Sequence, residues 1–187
     1  MRILLEEVYK KVVIFLHRRK YKYLIIGGIA AGTLGEPRVT GDVDVDIDLS
    51  QENIVDFLDK AKKAGFKVSK KKCIKTAVQT GTFQINYGDF HVDFIIASTD
   101  FEDEAFRRRQ IVRLYGIKAF FPTPEDLILL KIIPGRKQDL VDAEKVILRH
   151  KKRLDMAYLQ NWARKLCDQA EDMRIWNDLN KLLKDRK

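Results

Sequence analysis

Tyr23-Leu24-Ile25-Ile26-Gly27-Gly28, followed after thirteen further residues by Asp42-Val43-Asp44-Val45-Asp46-Ile47-Asp48, decides how this chain is read. An apolar run halts at a glycine pair, and a second returns with aspartate at every other position. Side chains alternate across a strand, so Asp42, Asp44, Asp46 and Asp48 are expected on one face. Carboxylates in such a row repel one another unless solvent or cations neutralise them. Asp42 and Asp44 would lie about 7 Å apart along a strand rising ~3.3 Å per residue. That spacing suits a shared Mg²⁺ site beside substrate phosphates, because hard cations gather oxygen ligands. The stretch points to metal-assisted phosphoryl or nucleotidyl chemistry.

The chain has 187 residues, 45% hydrophobic and 34% charged, which suits one buried core with a helical appendage. No apolar run approaches the ~20 residues that span a bilayer. Met1-Arg2-Ile3-Leu4-Leu5 meets Glu6-Glu7 at once, unlike a signal peptide, so no membrane partner and a cytoplasmic location are expected. Cys73 and Cys167 stand far apart in no metal-ligand spacing, which fits a reduced compartment and excludes structural zinc. The net charge of +9 sets the acidic stretch on a basic body and favours an anionic partner: nucleotide, RNA or DNA. Solvated lysine- and glutamate-rich faces give similar numbers, so composition does not choose among these.

Outward from the opening stretch, the pattern predicts an amphipathic helix over 3–19, a buried strand over 23–26 and a short helix over 29–34. An acidic strand over 43–49 follows, then a helix capped by Ser50 and running to about Ala64. Strands are expected at 66–68 and 74–78 around Lys70-Lys71-Lys72, and a hairpin of 83–85 with 91–97 around Tyr87-Gly88-Asp89. Arg107-Arg108-Arg109 precedes a strand pair, 111–114 and 117–120. At Pro122 the texture changes: Thr123 and Pro124 open helices at about 124–133, 138–150, 155–168 and 171–185. The division is thus an α/β core over 1–121 and a helical segment over 122–187. Trp162 and Trp176 read as core of that segment.

Three nucleotide-site patterns compete for the glycine pair. Gly27-Gly28-Ile29-Ala30-Ala31-Gly32 does not fit G-x-G-x-x-G, and no lysine followed by serine or threonine stands where a P-loop needs one. A glycine pair at a strand end, a short helix, then a strand of paired aspartates does fit; small residues there let phosphates approach backbone N–H groups. A calcium loop is rejected, because Ile47 and Asn53 occupy its glycine and glutamate positions. A third carboxylate is wanted for two-metal transfer, and Asp93 in Phe90-His91-Val92-Asp93-Phe94-Ile95-Ile96 supplies it from an apolar strand. His91 should share its face but reads as structural or solvated.

Together these residues resemble the nucleotidyltransferase superfamily that includes DNA polymerase beta: h-G-[GS], a spacer, D-h-D, then a later strand aspartate. The stretch is most similar to AbiEii-type abortive-infection toxins and related small prokaryotic proteins, which read roughly G-G-x-A-x-x-x-x-G-x-P-R-x-T-x-D-h-D. Here stand Gly27-Gly28-Ile29-Ala30, then Gly35-Glu36-Pro37-Arg38-Val39-Thr40-Gly41-Asp42-Val43-Asp44. A second likeness, to P-E-D-L-x-x-x-K then R-x-K-D-x-x-D, rests on Pro124-Glu125-Asp126-Leu127, Lys131, Arg136, Asp139 and Asp142, with Lys137 one place early.

The resemblance implies a nucleotidyltransferase fold, α+β with a mixed twisted sheet flanked by helices, and a toxin–antitoxin-like setting. It implies that Asp42, Asp44 and Asp93 bind Mg²⁺ or Mn²⁺ and carry catalysis. Gly27, Gly28, Arg38 and Lys131 would hold the nucleoside triphosphate. A nucleoside monophosphate would pass to an acceptor hydroxyl on RNA or tRNA, protein or a small molecule, with release of pyrophosphate. The alternative is an inactive nucleotide- or RNA-binding module of the same fold. Asp46 falls where relatives are often apolar and is expected to be a bystander on a wet acidic face, or a support for the ligands. The Lys70 and Arg107 runs are candidates for steering RNA.

Overall fold

A computed structural model describes residues 3–184 of the chain. Met1, Arg2 and position 185 of the last expected helix lie outside the described residues. In chain order the elements are α1 (Leu5–Arg18), β1 (Tyr23–Ile25), α2 (Gly27–Leu34), β2 (Asp42–Ile47), α3 (Ile54–Lys63) and α4 (Lys70–Thr80). Then come β3 (Thr82–Tyr87), β4 (Phe90–Ile96), α5 (Asp100–Arg108), β5 (Gln110–Leu114) and β6 (Ile117–Phe121). Last are α6 (Pro124–Ile132), α7 (Lys137–His150), α8 (Met156–Ala170) and α9 (Arg174–Lys184). The described residues form two compact units, one of 3–28 with 40–121 and one of 29–39 with 122–184. No helix among the described residues is long and apolar enough to cross a membrane.

The first unit is built on a four-stranded mixed sheet ordered β1-β2-β4-β3. The central pair, β2 and β4, is parallel; β1 and β3 flank it antiparallel. Period-two alternation sinks Val43, Val45 and Ile47 to zero exposure. On β4, Phe94 stacks on Phe83 at 4.9 Å and meets Phe57 of α3 edge-on at 5.1 Å, so α3 is locked to the sheet by aromatic packing. On α1, Val8, Val12 and Leu16 recur at four-residue spacing and are buried. The second unit centres on α6, buried almost all round, with Leu127, Ile128, Leu129 and Ile132 at zero exposure. Trp162 of α8 is buried there, as its helical spacing among leucines predicts.

Two segments depart from expectation. The strand expected at 74–78 is instead part of α4: Cys73 and Ala77, four apart, are its buried residues, while Val78 is exposed. Gly81 closes that helix in the left-handed region at φ 68°, and of the 66–68 strand only a bridge from Lys67 to Asn86 forms. The alternation of β-branched Ile74, Thr76 and Val78 is a misleading period. Helix α5 has no counterpart among the expected elements, which place Arg107-Arg108-Arg109 at a strand entry. Its signal is a capping box: Thr99 Oγ1 accepts from Glu102 N at 3.2 Å, and Glu102 accepts from Thr99 N at 2.9 Å. Arg107 and Arg108 thereby fall in the last turn of a helix, where cations suit the carbonyl end.

Candidate functional site

β1 ends where Ile26 N donates to Asp44 O at 3.0 Å, and the chain turns at once into α2, which starts at Gly27, two residues before its expected start. Gly27 has φ +62°, and a Cβ there would lie 1.7 Å from Asp44 Oδ2. Only glycine fits both the backbone and the space. The glycine pair is therefore the wall against which the acidic strand lies.

The parallel register pairs Asp44 with Asp93 and Asp42 with His91. One carboxylate oxygen from each of Asp42, Asp44 and Asp93 lies within 4.8 Å of the other two, and all three residues are half-buried. Neighbours orient them: Thr40 Oγ1 donates to Asp42 Oδ1 at 3.0 Å, and Gln84 Nε2 on β3 donates to Asp93 Oδ1 at 2.7 Å. Sequence reasoning missed both supports; Gln84 is legible only once β3 is registered against β4. His91 is exposed and hydrogen-bonds through Nδ1 to Asn86 Nδ2 at 2.7 Å. Three convergent carboxylates with a solvent-facing side are a hard-oxygen donor set, which fits Mg²⁺ or Mn²⁺.

Asp46 does not share that wet face. It is 1% exposed, and neither carboxylate oxygen finds a hydrogen-bond partner among the described residues. Burial, reinforced by the charges of Glu102 and Asp48, pushes its carboxyl up to about 8, so it is mainly protonated at neutral pH. The acidic strand thus splits into an open end, Asp42 and Asp44, and a dry end, Asp46.

Arg38 and Lys131 belong to the second unit. Arg38 grips Asp142 in a two-pronged pair, Nε and Nη2 each donating at 2.8 Å. Lys131, buried on α6, reaches Asp139 at 2.9 Å and Asp142 at 3.0 Å on α7. Burial pushes the Asp142 carboxyl up, but hydrogen bonds from Arg38, Lys131 and Gln138 outweigh it and hold the carboxyl below its ordinary value. In the Pro124-Glu125-Asp126-Leu127 stretch, Glu125 accepts from Asp155 N at 3.0 Å, tying the start of α6 to that of α8. Arg38, Lys131, Asp139 and Asp142 are thus joined in one network inside the second unit, and both cations have carboxylate partners there.

A mixed sheet carrying a glycine turn, two strand aspartates and a third aspartate on the parallel neighbour is the architecture of a nucleotidyltransferase fold. The chain belongs to the family described as nucleotidyltransferase of unknown function (DUF6036), whose model matches residues 4–186. Three solved structures share the fold. LnuA, a lincosamide antibiotic adenylyltransferase solved with lincomycin bound, aligns at TM-score 0.55 and 13% identity over 78% of this chain and 98% of its own. The antibiotic-resistance factor ANT(2'')-Ia aligns at 0.58 and 12% identity, over 89% of this chain and 94% of its own. An antigenic nucleotidyltransferase-like protein from Paracoccidioides brasiliensis aligns at 0.52 and 19% identity, over 91% of each chain. No curated protein matches the sequence.

Proposed function

We propose that the protein is a metal-dependent nucleotidyltransferase that moves a nucleoside monophosphate from a nucleoside triphosphate to an acceptor hydroxyl. The observation that carries this reading is the convergence of Asp42, Asp44 and Asp93 within 4.8 Å beside a glycine that no other residue can replace. Asp42, Asp44 and Asp93 would hold Mg²⁺ or Mn²⁺, which neutralises phosphate charge and polarises the phosphoryl oxygens. Asp93, held through Oδ1 by Gln84, takes the proton of the attacking hydroxyl on its other oxygen. A bond forms from the acceptor oxygen to the α-phosphorus, the bond to the bridging oxygen breaks, and pyrophosphate leaves. Backbone N–H groups at Gly27 and Gly28, opening α2, face that charge. Arg38 and Lys131 are assigned instead to the ion pairs that hold α7 within the second unit.

The net charge of +9 favours an anionic partner, and RNA is the acceptor to test first. The test is label transfer from four α-³²P nucleoside triphosphates with Mg²⁺ or Mn²⁺ and total RNA, comparing the enzyme with Asp44→Asn. Label should reach RNA only with the unaltered enzyme. Equal turnover by Asp44→Asn would refute the site. No transfer with nucleotide binding intact would favour the inactive binding module.

A further inference from the structure

Beyond the far end of the sheet from the carboxylates, the first unit holds a second, cationic pocket. His17, Lys20, Tyr21, Lys22, Arg109 and Phe120 line a cavity of about 440 Å³, within the ~300–1,000 Å³ typical of small-ligand sites. Register places it: Tyr23 opposes Ile47, and Asp48 N donates to Lys22 O at 3.0 Å. Lys22 is therefore level with a residue four beyond Asp44, about 13 Å away at ~3.3 Å per residue. The carboxylates and this pocket occupy opposite ends of the same strand pair.

The lining, open to solvent at Lys20 and Arg109, carries three basic side chains and no carboxylate. Lys22 is shared with the exposed Asp48 at 3.0 Å. Lys20 and Arg109 have no carboxylate partner among the described residues. The Arg109 guanidinium lies on the Phe120 ring, 4.8 Å from its centroid, and donates one N–H to Phe106 O at 2.5 Å. A stacked, anchored guanidinium is a planar fork already set for two-pronged recognition of phosphate. His17 is held by a 2.8 Å hydrogen bond with the Tyr23 hydroxyl and packs edge-on to Phe120, the ring on which Arg109 lies. Lys20, at φ +57°, closes α1: its N–H donates to His17 O at 3.0 Å and Tyr21 N donates to Leu16 O at 3.1 Å, and this turn brings the cation to the edge of the pocket.

We propose that this pocket binds the phosphate of a nucleotide, either free or within an RNA strand, as an anion site separate from the carboxylate centre. Of the Arg107-Arg108-Arg109 run, only Arg109 serves it; Arg107 is paired with Glu104 at 2.7 Å. The pocket would hold a strand at one end of the first unit while the carboxylates act at the other.

The test uses the full chain in EDTA, with fluorescence anisotropy of a short fluorescein-labelled single-stranded RNA and competition by AMP and by inorganic phosphate. Lys20→Gly with Arg109→Gln should weaken RNA binding about tenfold at low salt and flatten its salt dependence by roughly one charge-equivalent for each cation removed. Arg107→Gln, outside the pocket and paired with Glu104, should leave binding nearly unchanged. Displacement of RNA by AMP would identify a free nucleotide as an occupant; resistance to AMP with the same weakening in the variant would identify the strand. Lys20→Gly alone, which the backbone favours, should weaken binding severalfold without lowering the unfolding midpoint and covers failure of the double variant to fold. Equal binding by the folded double variant, or no binding of any phosphate probe by the unaltered protein, would overturn the proposal.

Discussion

Gly27→Ala puts the largest demand on the smallest change. The added methyl would sit 1.7 Å from Asp44 Oδ2, 2.3 Å from its Cγ and 2.6 Å from its Cβ. Rotating the carboxylate away relieves the first two overlaps at ~0.5–1.5 kcal/mol for an off-rotamer side chain. The third cannot be relieved that way, because Cβ is fixed by the backbone, so β1 and β2 must part where Ile26 N bonds Asp44 O. The left-handed φ of +62° adds ~1–2 kcal/mol for any residue with a Cβ. Together these should cost about 2–4 kcal/mol in urea unfolding. The carboxylate must also retreat by more than an ångström, which should lower nucleotidyl transfer about 100-fold. Gly32→Ala is the control: its nearest neighbour is 3.6 Å away and it lies within α2, so it should be neutral or stabilise by ~0.5–1 kcal/mol. If Gly27→Ala unfolds and turns over like the unaltered protein, the close approach of glycine and aspartate is not held in solution.

Two further substitutions read the buried charges. Lys131→Met leaves Asp139 and Asp142 buried with one cation fewer, and should cost about 3 kcal/mol in urea unfolding, near the low end for a broken buried pair because Arg38 and Arg136 remain; a loss under ~1 kcal/mol would mean the network is not closed in solution. Asp46→Asn tests the dry end of β2 in metal-free buffer. The folded carboxyl titrates near 8 against 3.8 in the unfolded chain. Between those values the folded state holds a proton that the unfolded state lacks, so stability falls as pH rises through that window. From pH 5 to 7 the group should remove ~2–3 kcal/mol, and the difference between unaltered and Asp46→Asn profiles should carry that slope. A flat difference would refute the burial of a protonated Asp46.

The sheet was legible because its signals are local and strong. The Tyr87-Gly88-Asp89 turn fixed the β3–β4 hairpin, and the Gly27-Gly28 stop fixed the end of β1. Convergence of Asp93 on Asp44 depends on β2 and β4 pairing in parallel, and no local pattern encodes that pairing; the superfamily resemblance supplied it. The errors are physical too. In α4 the alternation of Ile74, Thr76 and Val78 outshone the Cys73–Ala77 spacing, and three lysines hid a helix start. The start of α5 was written as Thr99-Asp100-Phe101-Glu102, a capping box overlooked beside the arginine run. Asp46 was harder. Its place in an acidic alternation argues for a wet face, while the position it fills, often apolar in relatives, argues for burial, and the second consideration won.

That outcome explains how one strand carries a row of carboxylates at all. Four ionised groups on one face would repel along the whole of β2 and its continuation. The protein avoids this by giving each a different environment. Asp42 and Asp44 stay half-buried at the end facing Asp93, where solvent reaches them and the proposed cation would offset their charge. Asp46 is driven neutral by burial, and Asp48 emerges beyond the strand to meet Lys22 at 3.0 Å. Charge along the strand therefore alternates between an anionic centre, a neutral spacer and a paired exit beside the cationic pocket. The carboxylate centre thus lies at one end of β2 and the proposed Lys20–Arg109 pocket beyond its other end, so the two ends are suited to opposite charges.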